Sequence, residues 1–163
     1  MTPKQISLVQ QSWNKVLPIA PQAAEIFYDT LFEMDPSLKA LFPSDMTDQG
    51  KKLMSMLDTA VKLLDNPEKL IPAVKNLGAK HLNYGTKPEH YDPVGAALLK
   101  TLATGLGDDF TTSVKNAWTA IYGTLSSTMI DGASDVNQNN LGKGKTMNKK
   151  TAQTNTNEAS NDL

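Results

Sequence analysis

From Ile6 to Met129 the apolar residues of this chain recur at steps of three and four, and prolines and glycines stand mostly at the joints between those runs. A period of 3.6 residues lines one face of an α-helix, whereas a half-buried strand needs a period of two. The first stripe is Ile6, Val9, Trp13 and Val16, and it opens on Thr2-Pro3-Lys4-Gln5, the residue types of a capping box with proline at the first helical position. A second helix is predicted from about Pro21 to Met34, with Ala24, Phe27, Tyr28, Leu31 and Phe32 as its heavy face. After Asp35-Pro36 a short helical turn delivers Phe42, and Asp48 to Asp65 then repeats Leu53, Leu57, Ala60, Val61 and Leu64 on one face. Gly50 inside that run costs about 1 kcal/mol against alanine, which predicts a close helix crossing with Ala24 as its partner. Pro72 starts or kinks a short helical stretch that ends at Gly85; Pro88 begins a helix to about Leu106, and a last one spans about Thr111 to Ile130. No alternating strand pattern occurs, so the expected fold is all-α, built from six or seven helices with short joints.

Composition narrows the chemistry. Cysteine is absent from the 163 residues, which removes disulfides, thiolate nucleophiles and zinc–thiolate sites together. All 16 basic residues are lysine, against 17 acidic ones, so there is no guanidinium fork for phosphate and no basic footprint for nucleic acid. No apolar run approaches the roughly 18 residues of a membrane span, and the N-terminus lacks a leader-like apolar core. These features predict a cytoplasmic protein with no membrane or nucleic-acid partner; a monomer or weak homo-oligomer is the expectation for its assembly. From Gly132 onward the chain has no aromatic residue and seven asparagines, a composition unable to build a core. The expected organisation is one helical domain over 1–131 and a polar, disordered tail over 132–163.

Two motifs in that tail fail on their own terms. Gly144-Lys145-Thr146 lacks the glycine five positions earlier that a phosphate loop requires, Asn139 standing there instead. Asp135 opens a run resembling a calcium loop, but its sixth position is Asn140 and its twelfth Thr146. There is no serine elbow, and the two histidines, His81 and His90, are separated by Gly85 and Pro88 and share no helical face. His81 follows Leu77 by four residues, so both lie on one face and the imidazole can reach a metal or cofactor. Taken alone, such a pair is met more often in a helical core than at a ligand site, and a mononuclear histidine–carboxylate metal site stays open.

The order of several pieces is more specific. Phe27-Tyr28, Pro36 to Phe42, Gln49-Gly-Lys-Lys-Leu53, Leu70-Ile-Pro-Ala-Val74, His81, His90-Tyr91-Asp-Pro-Val-Gly95 and Ala117-Trp118 to Tyr122-Gly123 together resemble the bacterial single-domain globins, of the type of Vitreoscilla haemoglobin, Hell's Gate globin and the haem domain of flavohaemoglobins. The resemblance covers about residues 4 to 131 and implies a three-on-three helical sandwich around one haem b. It implies His81 as the proximal ligand of the iron, with Tyr28, Gln49 and Leu53 on the distal, gas-binding side. Phe42, Leu53, Leu77 and Val94 would wall the porphyrin, Tyr91 would stand on the proximal side, and Lys52, Lys80 and His90 are candidates for the propionates. The implied function is reversible binding of dioxygen and other diatomic gases such as CO and NO, for storage, delivery or scavenging. Nitric oxide dioxygenation with a separate reductase is the enzymatic alternative, and a haem-free structural or signalling domain a third. One departure bears on the choice: the carboxylate that such globins direct at the proximal histidine from the last helix aligns here with Ala133, past the expected helix end.

Overall fold

The computed structural model describes residues 1–83 and 86–143. Among the described residues the chain forms six α-helices and no strand. They are α1 (Pro3–Val16), α2 (Ala20–Met34), α3 (Thr47–Lys62), α4 (Pro67–Asn83), α5 (Tyr91–Leu106) and α6 (Thr112–Lys143), joined by short 3₁₀ turns. The capping box forms as the sequence predicts. Thr2 Oγ1 accepts from the Gln5 N–H at 3.1 Å, and Gln5 Oε1 accepts from the Thr2 N–H at 3.0 Å, satisfying two backbone donors that α1 leaves unpaired.

The apolar stripes meet in one core in which Trp13, Leu31, Leu64, Leu102 and Ile121 are fully buried. Its polar atoms are paired. The Trp118 indole N–H donates to Ser12 Oγ at 2.8 Å, and that hydroxyl donates back to the Leu8 and Val9 carbonyls, so α1 and α6 are joined through a buried serine. Trp13 packs on Trp118 at 6.1 Å and donates from its own indole to Asp58 at 3.0 Å, which ties α1 to α3. The predicted crossing at Gly50 is present: a Cβ there would stand 3.1 Å from the Ala24 Cβ, so α2 and α3 approach as closely as a missing side chain allows.

Two elements differ from the sequence reading. Helix α4 is unbroken over 17 residues with Pro72 inside it. Proline removes only the bond to the carbonyl of Glu68, an exposed residue in the first turn. The last helix does not stop near Ile130 but runs on to Lys143. Gly132, read as the start of the tail, lies within α6 and is buried, because α4 presses on it there: a Cβ at Gly132 would overlap the Lys75 carbonyl oxygen and lie 2.7 Å from the Lys75 Cα. Gly78 on α4 is the reciprocal contact, where a Cβ would overlap the carbonyl oxygen of Met129 and lie 2.6 Å from its Cα. Lys75 and Asp135 add an exposed ion pair at 3.5 Å across the same joint. The change of composition at 132 therefore does not mark where the helix ends. Residues 144–163 of the proposed tail lie outside the described residues.

Candidate functional site

Helices α2 to α6 leave a cleft between them whose walls are almost wholly apolar, enclosing about 1090 Å³ with its mouth. One wall is a cluster of rings. Tyr28 meets Phe27 edge-on at 5.0 Å and Phe42 at 5.4 Å, and Phe32 closes the group at 5.4 Å from Phe42. The 3₁₀ turn Pro36–Leu41 sets this up, since it ends with Phe42 in an extended conformation. Leu53 and Met56 come from α3, Val74, Leu77 and His81 from α4, Val94 and Leu98 from α5, and Tyr122, Leu125 and Met129 from α6.

His81 is part-buried, and its Nδ1 is 2.8 Å from the Leu77 carbonyl oxygen. A carbonyl can only accept, so Nδ1 carries the proton and Nε2 the lone pair, the tautomer that serves a metal. The i, i+4 pair seen in the sequence is thus a hydrogen bond as well as a shared face. Tyr28, from α2, is buried, and burial pushes its phenol well above the ordinary range, so it remains a proton donor at any working pH. Gln49 Nε2 lies 3.5 Å from the Tyr28 hydroxyl, at the long limit of a hydrogen bond.

Tyr28, Phe42, Leu53, Leu77, His81, His90, Tyr91 and Val94 all line this cleft. Gln49 does not. It is buried behind Tyr28 at 2 % exposure and bonds to that phenol. Lys52 and Lys80 also stand off it, lining an adjoining crevice between α3 and α4 that shares Met56, Ala60, Val74 and Leu77 with the cleft wall. His90 Nδ1 accepts from the Lys87 N–H at 3.0 Å, which leaves its proton on Nε2. Among the described residues no three His, Asp or Glu side chains converge, so a histidine–carboxylate metal site has no ligand set there.

Two residues that carry the resemblance, Gly95 and Tyr122, have no site role in the sequence reading. The Tyr122 hydroxyl donates to the Tyr91 carbonyl at 2.6 Å, and its ring rests where a Cβ at Gly95 would be only 2.7 Å away. Burial, reinforced by the neighbouring Tyr91 and Asp92, raises the Tyr122 phenol as well. Gly95 and Tyr122 thereby fix how α5 and α6 close the cleft. Each reads locally as an ordinary member of its helix, and only a glycine facing a ring on another helix would have flagged the pair.

The globin family's sequence profile matches residues 25–129. The chain belongs to the globin family. Members of that family bind haem, and an apolar cleft in which His81 keeps its Nε2 lone pair fits that group, because a porphyrin would itself supply the iron's other nitrogen ligands. Over 134 residues this globin is 31 % identical to a flavohemoprotein of Vibrio cholerae, matching 80 % of this chain and 34 % of that protein. It thus spans about a third of the length of the flavohemoproteins it resembles. A neuroglobin of Tetraodon nigroviridis is 30 % identical over 146 residues, 81 % of this chain and 92 % of its own. The fold matches that of an engineered carbene transferase from Rhodothermus marinus with a TM-score of 0.75 at 24 % identity, covering 85 % of this chain and 96 % of the other. Among the described residues no helix is long and apolar enough to cross a membrane.

Proposed function

We propose that this globin holds a haem b in the cleft through His81 Nε2 and reversibly binds dioxygen, and other diatomic gases such as CO and NO, on the side lined by Tyr28. The observation that carries the reading is the meeting in one apolar cleft of an imidazole whose Nδ1 is committed to the Leu77 carbonyl and a buried phenol held protonated. When bound, the haem supplies the iron at which the gas attaches. The remaining work falls to side chains. Tyr28 offers its O–H to the gas, and Gln49 orients that phenol from behind. Phe42, Leu53, Leu77 and Val94 exclude water, which strengthens any hydrogen bond made inside. His90, with its proton on Nε2, and the lysines Lys52 and Lys80 are the partners offered to the propionates. Exposed lysine contacts of that kind are worth about 0–1 kcal/mol, so they orient the group more than they retain it. Tyr91 contributes wall area and the carbonyl that holds Tyr122.

Binding for storage, delivery or scavenging is better supported than turnover of nitric oxide with a separate reductase. The Nδ1–H of His81 meets an uncharged carbonyl, and Ala133, at the position of the family's proximal carboxylate, brings no charge although it does lie within α6. A neutral acceptor leaves the imidazole a weaker electron donor than a carboxylate would. Visible spectra of the purified protein, oxidised, reduced and reduced under carbon monoxide, test the reading. A strong Soret band that shifts with carbon monoxide is expected; a protein that neither contains nor takes up haem would refute it.

A further inference from the structure

A second cleft lies on the outer side of α2, between that helix, the α2–α3 connection and the start of α3. It spans about 1360 Å³ with its open mouth and is lined by Ala24, Asp29, Met46, Gly50, Lys51 and Met54 among others. Tyr28 lines this outer cleft as well as the inner one, and among the described residues it is the only side chain common to both. Tyr28 therefore stands at the border between a solvent-facing cavity and the interior cleft, with Gln49 bonded to its hydroxyl and Phe32 and Phe42 packed beside it. Gly50 and Ala24 form the floor of this cleft, where α3 closes on α2. Passage requires the Tyr28 ring to turn within its contacts to Phe27, Phe32 and Phe42 and to release Gln49, a local motion that leaves the backbone in place, and a diatomic molecule needs only a small gap.

We infer that diatomic gas reaches the inner cleft through this outer cleft, past the ring of Tyr28. The inference rests on the proposal that gas binds beside Tyr28. It goes beyond that proposal by assigning the path and giving Tyr28 a second role as its door. The competing path is the crevice between α3 and α4, which ends at Met56, Ala60, Val74 and Leu77. That crevice holds Lys52 and Lys80, so under the same reading it faces the edge of the macrocycle, whereas the outer cleft opens on the gas-binding side.

The test is carbon monoxide association and dissociation on the haem-loaded full chain after laser flash photolysis. Lys51→Trp and Asp29→Trp place an indole in the outer cleft from α3 and from α2, both at exposed positions, so one can serve if the other folds poorly. Each is expected to slow association several-fold and to slow dissociation by the same factor, leaving affinity unchanged, since a barrier on the only path acts on both directions. Thr59→Trp, exposed in the α3–α4 crevice, leaves both rates at the parent value. Parent rates in the two outer-cleft variants would overturn the inference, as would slowing by Thr59→Trp. A parent protein that forms no carbon monoxide adduct would sink the haem reading itself, a failure visible before any variant is made.

Discussion

Replacing Tyr28 with phenylalanine isolates the hydrogen bond from the packing. The ring keeps its edge contacts to Phe27 and Phe42, at 5.0 and 5.4 Å, and only the hydroxyl is lost. Its bond to Gln49 is long, at 3.5 Å, so folding stability should fall by about 1 kcal/mol or less. The effect on dioxygen should be larger. Bound dioxygen carries partial negative charge, and a donor to a charged acceptor is worth roughly 1.5–3 kcal/mol, which is about a tenfold to hundredfold change in the dissociation rate. Carbon monoxide, a poor acceptor, supplies the control. Stopped-flow displacement of each gas from the reduced protein reads both rates, and association should be little altered because the ring that partitions the two clefts keeps its size. An unchanged dioxygen dissociation rate would remove Tyr28 from the gas-binding side. Equal acceleration of both gases would show that the substitution acts by loosening the ring cluster and not through a hydrogen bond.

Removing the imidazole with His81→Ala should abolish haem retention on gel filtration, and full retention with the parent spectrum would refute the proximal assignment. Gly132→Ala forces a Cβ onto the Lys75 carbonyl and should cost about 1–3 kcal/mol, a fall in Tm of roughly 3–9 °C. Gly123→Ala in the same helix has nothing within 4 Å and should be neutral or mildly stabilising; equal losses in the two variants would dismiss the close crossing. Tyr28 and Tyr122 have phenols raised above the ordinary value near 10, so their contribution to stability is complete below that pH and is lost as pH climbs through the folded values. In an alkaline titration followed by tyrosinate absorbance, both should ionise only as the protein unfolds, and early ionisation of either would contradict its burial.

The helices were legible because stripe and punctuation agree: Thr2, Pro3 and Gln5 start α1 where three independent preferences coincide, and Gly50 announced the crossing on Ala24. Helix α4 illustrates the limit. Pro72 is a local signal for a break, but a proline in the sixth position forfeits one bond to an exposed carbonyl, too little to end a helix that packs along α6. Gly132 misleads for the opposite reason, since its value lies in a contact with Lys75, 57 residues earlier, that no window around it contains. The cleft itself was half readable. Periodicity turns Leu53, Leu77 and His81 inward, whereas the part proposed for Tyr28 came from family resemblance. The burial of Gln49 behind that phenol and the placing of Lys52 and Lys80 in a neighbouring crevice depend on how three helices cross.

The paired glycines at 78 and 132 have a mechanical consequence. With Met129 seated on one and Lys75 on the other, α4 can neither slide along α6 nor roll on it without driving main chain into main chain. The segment bearing His81 and the end of α6 thus form a single exchange unit, whose amides should open together and trade hydrogen for deuterium at a common rate. A load applied beyond Gly132, such as a fused domain pulling on the end of α6, would be felt at the imidazole.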